Sequence, residues 1–400
     1  MARNIYSRFR RITTNQLYFP EIDGIRFLAI IMVILFHIHG YFVARSAIKF
    51  TDDARTDTLL NTFLLHGDRG VELFFVLSGF ILCLPFAHHF INNGKKVSLK
   101  KYYLRRVTRL EPPYFIAITA IFLLHIAMHM PNPRPPYPSW TMSWLASLCY
   151  SHAFIYHRTP LLTVVAWSLE IEIQFYLLAP LLFRLLALHK ITRRLILFLA
   201  TIAIVVLQNF YTPPFICIYG YLQFFLAGVL LADLYVSNEA ATLFNNPLAV
   251  PLAAIILIAI CYMPVARVFY GELLFPFFIG ILYYTVLKNE AIKKIFSYRF
   301  VPVIGGMCYS IYLLHYTIIS ILGRFTLRLH FTGYYIPNLI LQAILLGIPI
   351  LAISSVYYYY IERPFMSRKW LDMLLKKDKK TEETNMQANY ETAATDLTEK

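Results

Sequence analysis

The sequence predicts an all-α, polytopic integral membrane protein of about ten transmembrane helices, with both termini in the cytoplasm. Three observations carry that expectation. The chain of 400 residues is 58% hydrophobic and only 15% charged, where soluble domains carry about 25% charge. Its apolar residues gather into ten runs, each near the roughly 20 residues that cross a hydrocarbon core. Its Lys and Arg cluster in alternate connections, the positive-inside pattern. The net charge of +15 therefore reads as membrane orientation, and nucleic acid is not an expected partner.

The runs lie near 22–43, 70–90, 112–130, 166–187, 194–210, 216–236, 247–264, 270–288, 302–322 and 336–360. Counting from a cytoplasmic N-terminus, the basic connections all fall inside. They are the N-terminal segment, the 91–111 loop with Lys95, Lys96, Lys100, Lys101, Arg105, Arg106 and Arg109, the 184–194 loop, the 288–299 loop, and the segment after Arg363. Arg3, Arg8, Arg10 and Arg11 precede the first run as they would in a signal peptide. That run is too long for a signal h-region and Arg26 stands at its entrance, so an uncleaved span is expected. The outer 131–165 connection opens on "PNPRPPYPSW", too rich in proline for helix, and is expected to be a rigid irregular cover. Residues 1–375 read as one transmembrane domain. Residues 376–400 have almost no apolar content and read as a disordered polar cytoplasmic tail. The five cysteines show neither CxxC nor Cys/His spacing, so neither a disulfide framework nor a metal site is expected.

Ionisable residues inside the runs are the functional candidates, because each costs roughly 2.5–3.5 kcal/mol at a helix centre on insertion scales. The first run, "EIDGIRFLAIIMVILFHIHG", carries Arg26 and His37, about 16 Å apart along a helix. The second opens with "GDRGVELFFVLSGF". Asp68 and Arg69 read as solvated at the outer surface. Glu72 reads either as a carboxylate favoured by the helix N-terminus or as a catalytic group. In "WSLEIEIQFYLLAP", Glu170 and Glu172 point about 200° apart on a helix, so one faces the interior while the other looks elsewhere. In "KKYYLRRVTRLEPPYF", Arg105 and Arg109 are i,i+4 neighbours with Arg106 beside them. Clustered guanidinium forks suit phosphate, from a soluble ligand or from a lipid headgroup. His315 lies mid-span in "YSIYLLHYTII", read either as a core histidine bonded to a tyrosine or as a functional group. Glu362 and Arg363 read as an interfacial ion pair.

Taken together these segments resemble the acyltransferase family 3 membrane proteins, the ten-span O-acyltransferases of cell-surface glycans. The resemblance rests on "IDGIRFLAIIMVILFH", with its Arg, ten residues and His, on "GVELFFVLSGF", "RRVTRLEPPYF", "WSLEIEIQFYLLAP", "YSIYLLH" and "IERPF". These stand in the family's order across residues 20–366. Glu72 stands in place of the commoner Asp. Two further departures are visible: the usual Glu-Glu pair is reduced to Glu172 followed by Ile173, and Glu170 stands where the family often has Ser. No SGNH-type hydrolase domain follows, so the stand-alone form is expected.

The resemblance implies transfer of an acyl group, most often acetyl, from cytoplasmic acyl-CoA to a hydroxyl of a cell-surface or exported glycan. It implies a multi-pass protein of the bacterial cytoplasmic membrane with no tightly bound cofactor. His37 is the expected general base, Glu172 with Glu72 the expected orienting carboxylates, and Arg26, Arg105, Arg106 and Arg109 the expected holders of the donor's phosphates, with a pairing to Asp23 the other reading of Arg26. Direct transfer and an acyl-histidine intermediate are both open. The competing readings are a transporter or flippase with buried charge, and a relative that keeps the fold without catalysis.

Overall fold

The computed structural model describes residues 11, 18–45, 59–239, 241–263 and 269–367. It is built from helices, with no strand among the described residues. The long ones are α1 (Pro20–Arg45), α2 (Gly70–Ile91), α3 (Leu99–Ala127), α4 (Trp167–Leu182), α5 (Lys190–Phe210), α6 (Leu222–Val236), α7 (Ala249–Tyr262), α8 (Phe269–Lys288), α9 (Cys308–Thr326) and α10 (Tyr335–Tyr357). A helix therefore stands in each of the ten apolar runs. Six stretches are long and apolar enough to cross a membrane: Pro20–Arg45, Leu59–Ile91, Leu99–Ala127, Lys190–Phe210, Phe269–Lys288 and Tyr335–Phe365. The protein is an all-α, multi-pass membrane protein. The polar tail expected over 376–400 lies outside the described residues.

The helices sort into a core and a lipid-facing shell. On α5 the buried residues are Arg193, Leu197, Thr201 and Val205, a single line of i,i+4 positions. Leu195, Leu199 and Leu207, on its other faces, are exposed. Such a helix is apolar all round yet packs on one stripe only, as lipid contact allows. By contrast α6 is buried on nearly every face and lies against α2. That crossing is close because Gly79 of α2 meets the Phe225 carbonyl and Gly228 of α6 meets the Val76 carbonyl. A Cβ at either position would fall inside contact distance. The Val301–Gly306 turn sits on α1 in the same way, with Gly305 against the Asp23 carbonyl.

Four local expectations need correction. The third helix does not begin near 112. Ser98 caps it, accepting from the Lys101 amide at 3.4 Å, and the basic segment is the helix's first three turns. Its Leu, Lys and Arg are good helix formers, and Pro112 and Pro113 are accommodated inside the helix. The outer cover is irregular only around its prolines. Residues Trp140–Leu148 form a helix capped by Ser139, and His152–Tyr156 form another turn. Arg69 is not solvated. It is buried, donating to the carbonyls of Ile260 and Met263 at the C-terminal end of α7 and standing 5.2 Å from the Phe275 ring. Those last carbonyls lack helical partners and attract a cation. Asp68 is exposed, as expected. Glu362 is likewise buried, and it accepts from the Ser310 amide at 3.0 Å and from the Ser310 hydroxyl instead of pairing at an interface with Arg363.

Candidate active site

An elongated cavity lies between α1, α2, α3, α4 and α9. One end is basic. Arg11, Arg26, Arg106 and Arg109 line it together with Glu362, Gly306 and Cys308. From there the wall follows α2 from Leu82 back to Val71 and α4 from Tyr176 back to Ser168. The stretch on α2 is about 16 Å long at helical rise. Ser78, Ser168, Glu172 and Tyr312 are among its polar groups, and Phe74, Phe75, Leu77 and Ile81 among its apolar ones.

The arginines reach the cavity by different routes. Arg26 projects from the first turns of α1 and is held by an ion pair with Asp23 one turn earlier. Asp23 also lies 3.5 Å from Arg11. The α3 arginines come from the helix whose start the sequence reading misplaced. Arg106 and Arg109 turn inward as an i,i+3 pair, while Arg105 is exposed and does not line the cavity. The expected i,i+4 pairing of Arg105 with Arg109 is therefore not the one that faces the site. Arg106 and Arg109 each keep a buried Nε with no hydrogen-bond partner among the described residues. Buried polar groups are ordinarily paired, and a guanidinium left this way inside a cavity is suited to an anion.

The carboxylates divide as their spacing required. Glu172 faces the cavity and accepts from the Ser78 hydroxyl at 2.6 Å. Glu170 points the other way, is buried, and accepts from the Ala153 amide at 2.9 Å, so it ties α4 to the outer cover. Glu72 is half-buried beside the cavity wall residues Val71 and Phe74, and its Oε2 has no partner among the described residues.

His37 is hydrogen-bonded to none of these carboxylates among the described residues. Its Nδ1 is 2.9 Å from the Val33 carbonyl and 3.2 Å from Nε2 of His315. The two imidazoles lie 5.0 Å apart between ring centroids, with Tyr316 edge-on to His37 at 5.3 Å. Glu172, expected to orient His37, instead serves Ser78, and His315 is bonded to a tyrosine, through the Tyr312 backbone carbonyl. Tyr312 lines the cavity and also lies beside the histidine pair. Its ring is 5.8 Å from that of His315, and its hydroxyl is 2.6 Å from that of Ser168 in the cavity wall. Sequence reasoning missed Ser78 and Ser168, whose side chains cost little to bury and so carry no signal, and placed Tyr312 only as a neighbour of His315. It also missed Arg11, which was absorbed into the positive-inside count.

Known proteins match this chain along most of its length. The acyltransferase domain of acyltransferase family 3 matches residues 19–359. The peptidoglycan O-acetyltransferase OatA of Listeria monocytogenes is 27% identical over 392 residues, covering 89% of this chain and 57% of its own length. The O-acetyltransferase OatA of Staphylococcus aureus is 24% identical over 382 residues, covering 88% of this chain and 58% of its own. The chain thus spans somewhat over half the length of these relatives. The exopolysaccharide production protein ExoZ of Rhizobium meliloti is 26% identical over 319 residues, covering 76% of this chain and 90% of its own. No solved structure matches. With its motifs in order and the family's domain matched over residues 19–359, the chain belongs to acyltransferase family 3.

Proposed function

We propose that the protein transfers an acyl group, acetyl first among the candidates, from cytoplasmic acyl-CoA to a hydroxyl of a cell-surface or exported glycan. The observation that carries this reading is the shape and charge of the cavity. It has a basic end where guanidinium nitrogens lack partners among the described residues, continuous with a mostly apolar stretch whose α2 wall is about 16 Å long. Phosphates and adenosine need the first, and a pantetheine arm needs the second. The printed names of the relatives, an O-acetyltransferase of peptidoglycan and a protein of exopolysaccharide production, support a glycan acceptor. The basic end is the cytoplasmic one in this reading, both termini are cytoplasmic, and the membrane is the bacterial cytoplasmic membrane.

Arg106 and Arg109, with Arg26 and Arg11 alongside, bind the donor's phosphates through charge-assisted hydrogen bonds. Asp23 holds Arg26 in place and lowers the net positive charge there. Glu172, fixed by Ser78, accepts a hydrogen bond from an amide N–H or hydroxyl of a reactant in the passage, and Glu72 offers a second acceptor nearer its far end. His37 is the general base. A sugar hydroxyl attacks a thioester poorly until its proton is removed, and a neutral imidazole is suited to remove it. The alkoxide oxygen bonds to the thioester carbonyl carbon. The C–S bond then breaks, and the departing sulfur takes the proton from the imidazolium.

The test is release of free CoA from acetyl-CoA by purified protein, compared with His37→Ala. The wild type turns over. His37→Ala binds acetyl-CoA and loses about 10²–10⁴-fold in turnover, the usual contribution of a general base. Undiminished turnover in His37→Ala overturns the role of His37. Absence of affinity for any acyl-CoA overturns the donor.

A further inference from the structure

We propose that His315 is the positioning residue of the site: it accepts the Nδ1 proton of His37 and so leaves the Nε2 lone pair of His37 as the only basic atom of that ring. This rests on the acyl-transfer reading for its kinetic consequence, but the tautomer it assigns stands on hydrogen-bond geometry alone.

The assignment follows from counting donors and acceptors. His315 is wholly buried. Its Nδ1 lies 3.0 Å from the Ile311 carbonyl and 2.9 Å from the Tyr312 carbonyl. Carbonyl oxygens only accept, so Nδ1 carries the proton. A neutral imidazole has one N–H, which leaves Nε2 of His315 as an acceptor. The group facing it at 3.2 Å is Nδ1 of His37. That same Nδ1 is 2.9 Å from the Val33 carbonyl, another pure acceptor. Both neighbours of His37 Nδ1 therefore call for a proton on it, and the two acceptors share it in a three-centre bond. The reverse arrangement puts a proton on both nitrogens of His315. That is an imidazolium in a wholly buried position, with no carboxylate hydrogen-bonded to it among the described residues, and it turns the lone pair of His37 Nδ1 toward the Val33 oxygen.

The pairing has a chemical consequence. In hydrolase triads a carboxylate fixes the base's tautomer and stabilises its cation. Here a second imidazole with its own backbone tether does the first of these tasks. When His37 takes the acceptor's proton on Nε2, its Nδ1–H becomes a cationic donor and the bond to His315 strengthens. The pair joins α1 to α9 across 278 positions of sequence, so the base is aimed by a helix that contributes the cavity residues Cys308, Tyr309 and Tyr312 as well.

The experiment combines ¹⁵N-histidine NMR of the detergent-solubilised protein with steady-state kinetics on wild type, His315→Gln and His315→Leu. His37→Ala assigns the resonance. In wild type, His37 is expected to show a protonated Nδ1 and a bare Nε2; the opposite tautomer overturns the proposal, whether or not turnover is seen. His315→Leu is expected to lower kcat about 10–100-fold, the size seen when an orienting partner is removed, while the KM for acetyl-CoA stays within about twofold. His315→Gln, whose amide oxygen reaches the position of Nε2, recovers most of kcat and the wild-type tautomer. Full kcat in a folded His315→Leu overturns the proposal, as does an equal loss in His315→Gln with the tautomer unchanged. If His315→Leu does not fold, the wild-type and His315→Gln spectra decide. Wild type that binds no acyl-CoA defeats the donor reading instead and leaves the tautomer measurement standing.

Discussion

Two arginine-rich regions of this molecule differ in what their guanidinium groups touch. At the start of α5, Arg193 meets Asp233 of α6 at 2.6 Å and also donates to the Leu186 and Leu188 carbonyls. Arg194 pairs with the other oxygen of Asp233 and with Glu239 at 2.7 Å, and Lys190 meets Glu239 at 2.6 Å. One nitrogen, Nη2 of Arg194, is left over. At the cavity, Arg106 and Arg109 form no ion pair among the described residues, although Glu362 lines the same end, and their buried Nε atoms are unpartnered among the described residues. The first cluster resembles a rivet between two helices, and the second resembles a site waiting for an anion. Burial of an arginine alone does not separate structure from function; the identity of its acceptors does.

That contrast can be broken most decisively at Asp233. It is fully buried, and Asp233→Asn leaves Arg193 without its counter-charge and Arg194 with Glu239 alone. Breaking such a pair costs about 3–5 kcal/mol, so thermal unfolding in detergent should fall sharply, while acetyl-CoA affinity in the surviving folded protein stays unchanged. An unaltered melting temperature would mean the cluster is not a rivet. Arg109→Lys keeps the charge but loses the planar fork. It should weaken acetyl-CoA binding by about 1–2 kcal/mol, on the scale of one charged hydrogen bond, measured by calorimetry; wild-type affinity would show that a point charge suffices. Arg109→Ala should cost less stability than Asp233→Asn, since the carboxylate near it, Glu362, keeps its bonds from the Ser310 amide and hydroxyl. A loss matching that of Asp233→Asn would erase the distinction between the clusters.

The smallest effect belongs to Glu239, in the turn after α6 and open to solvent. Arg194 and then Lys190 hydrogen-bond its carboxylate and hold its pKa at about 2, below the usual 4.5. A depressed pKa means the folded state prefers the ionised form. Its stabilising contribution is therefore complete above pH about 4.5 and is lost as pH falls toward about 2. Glu239→Gln should move the melting temperature at neutral pH by about a degree, as for other exposed pairs, and should flatten the acid limb of the stability profile. A Glu239→Gln profile that falls as steeply as wild type would remove Glu239 from the account.

The helical membrane class was legible because hydropathy and loop charge are global patterns that no single contact overrides. The costly residues were legible for a related reason: Arg26, His37 and Glu172 stand out against apolar runs. What stayed hidden was partnership. Nothing local ties His37 to His315, or Glu172 to Ser78 94 positions away; those contacts exist only once α1, α2, α4 and α9 are packed. Helical phase was also hidden. The i,i+4 rule pairs Arg105 with Arg109, but the cavity lies on the side of Arg106. Arg69 and Glu362 were read as solvated or interfacial because charge near a span end usually is, and the carbonyls and the Ser310 groups that bury them come from distant helices.

The central claim is that the unpartnered arginines are the donor's phosphate site, and equilibrium binding of acetyl-CoA tests it most directly. Wild type and Arg106→Ala/Arg109→Ala would be compared by calorimetry after thermal unfolding has shown both to be folded. Losing two charge-assisted contacts at about 1.5–3 kcal/mol each predicts an affinity at least about 100-fold weaker in the double variant. Equal affinity in the two proteins, or no binding by wild type, would contradict the account.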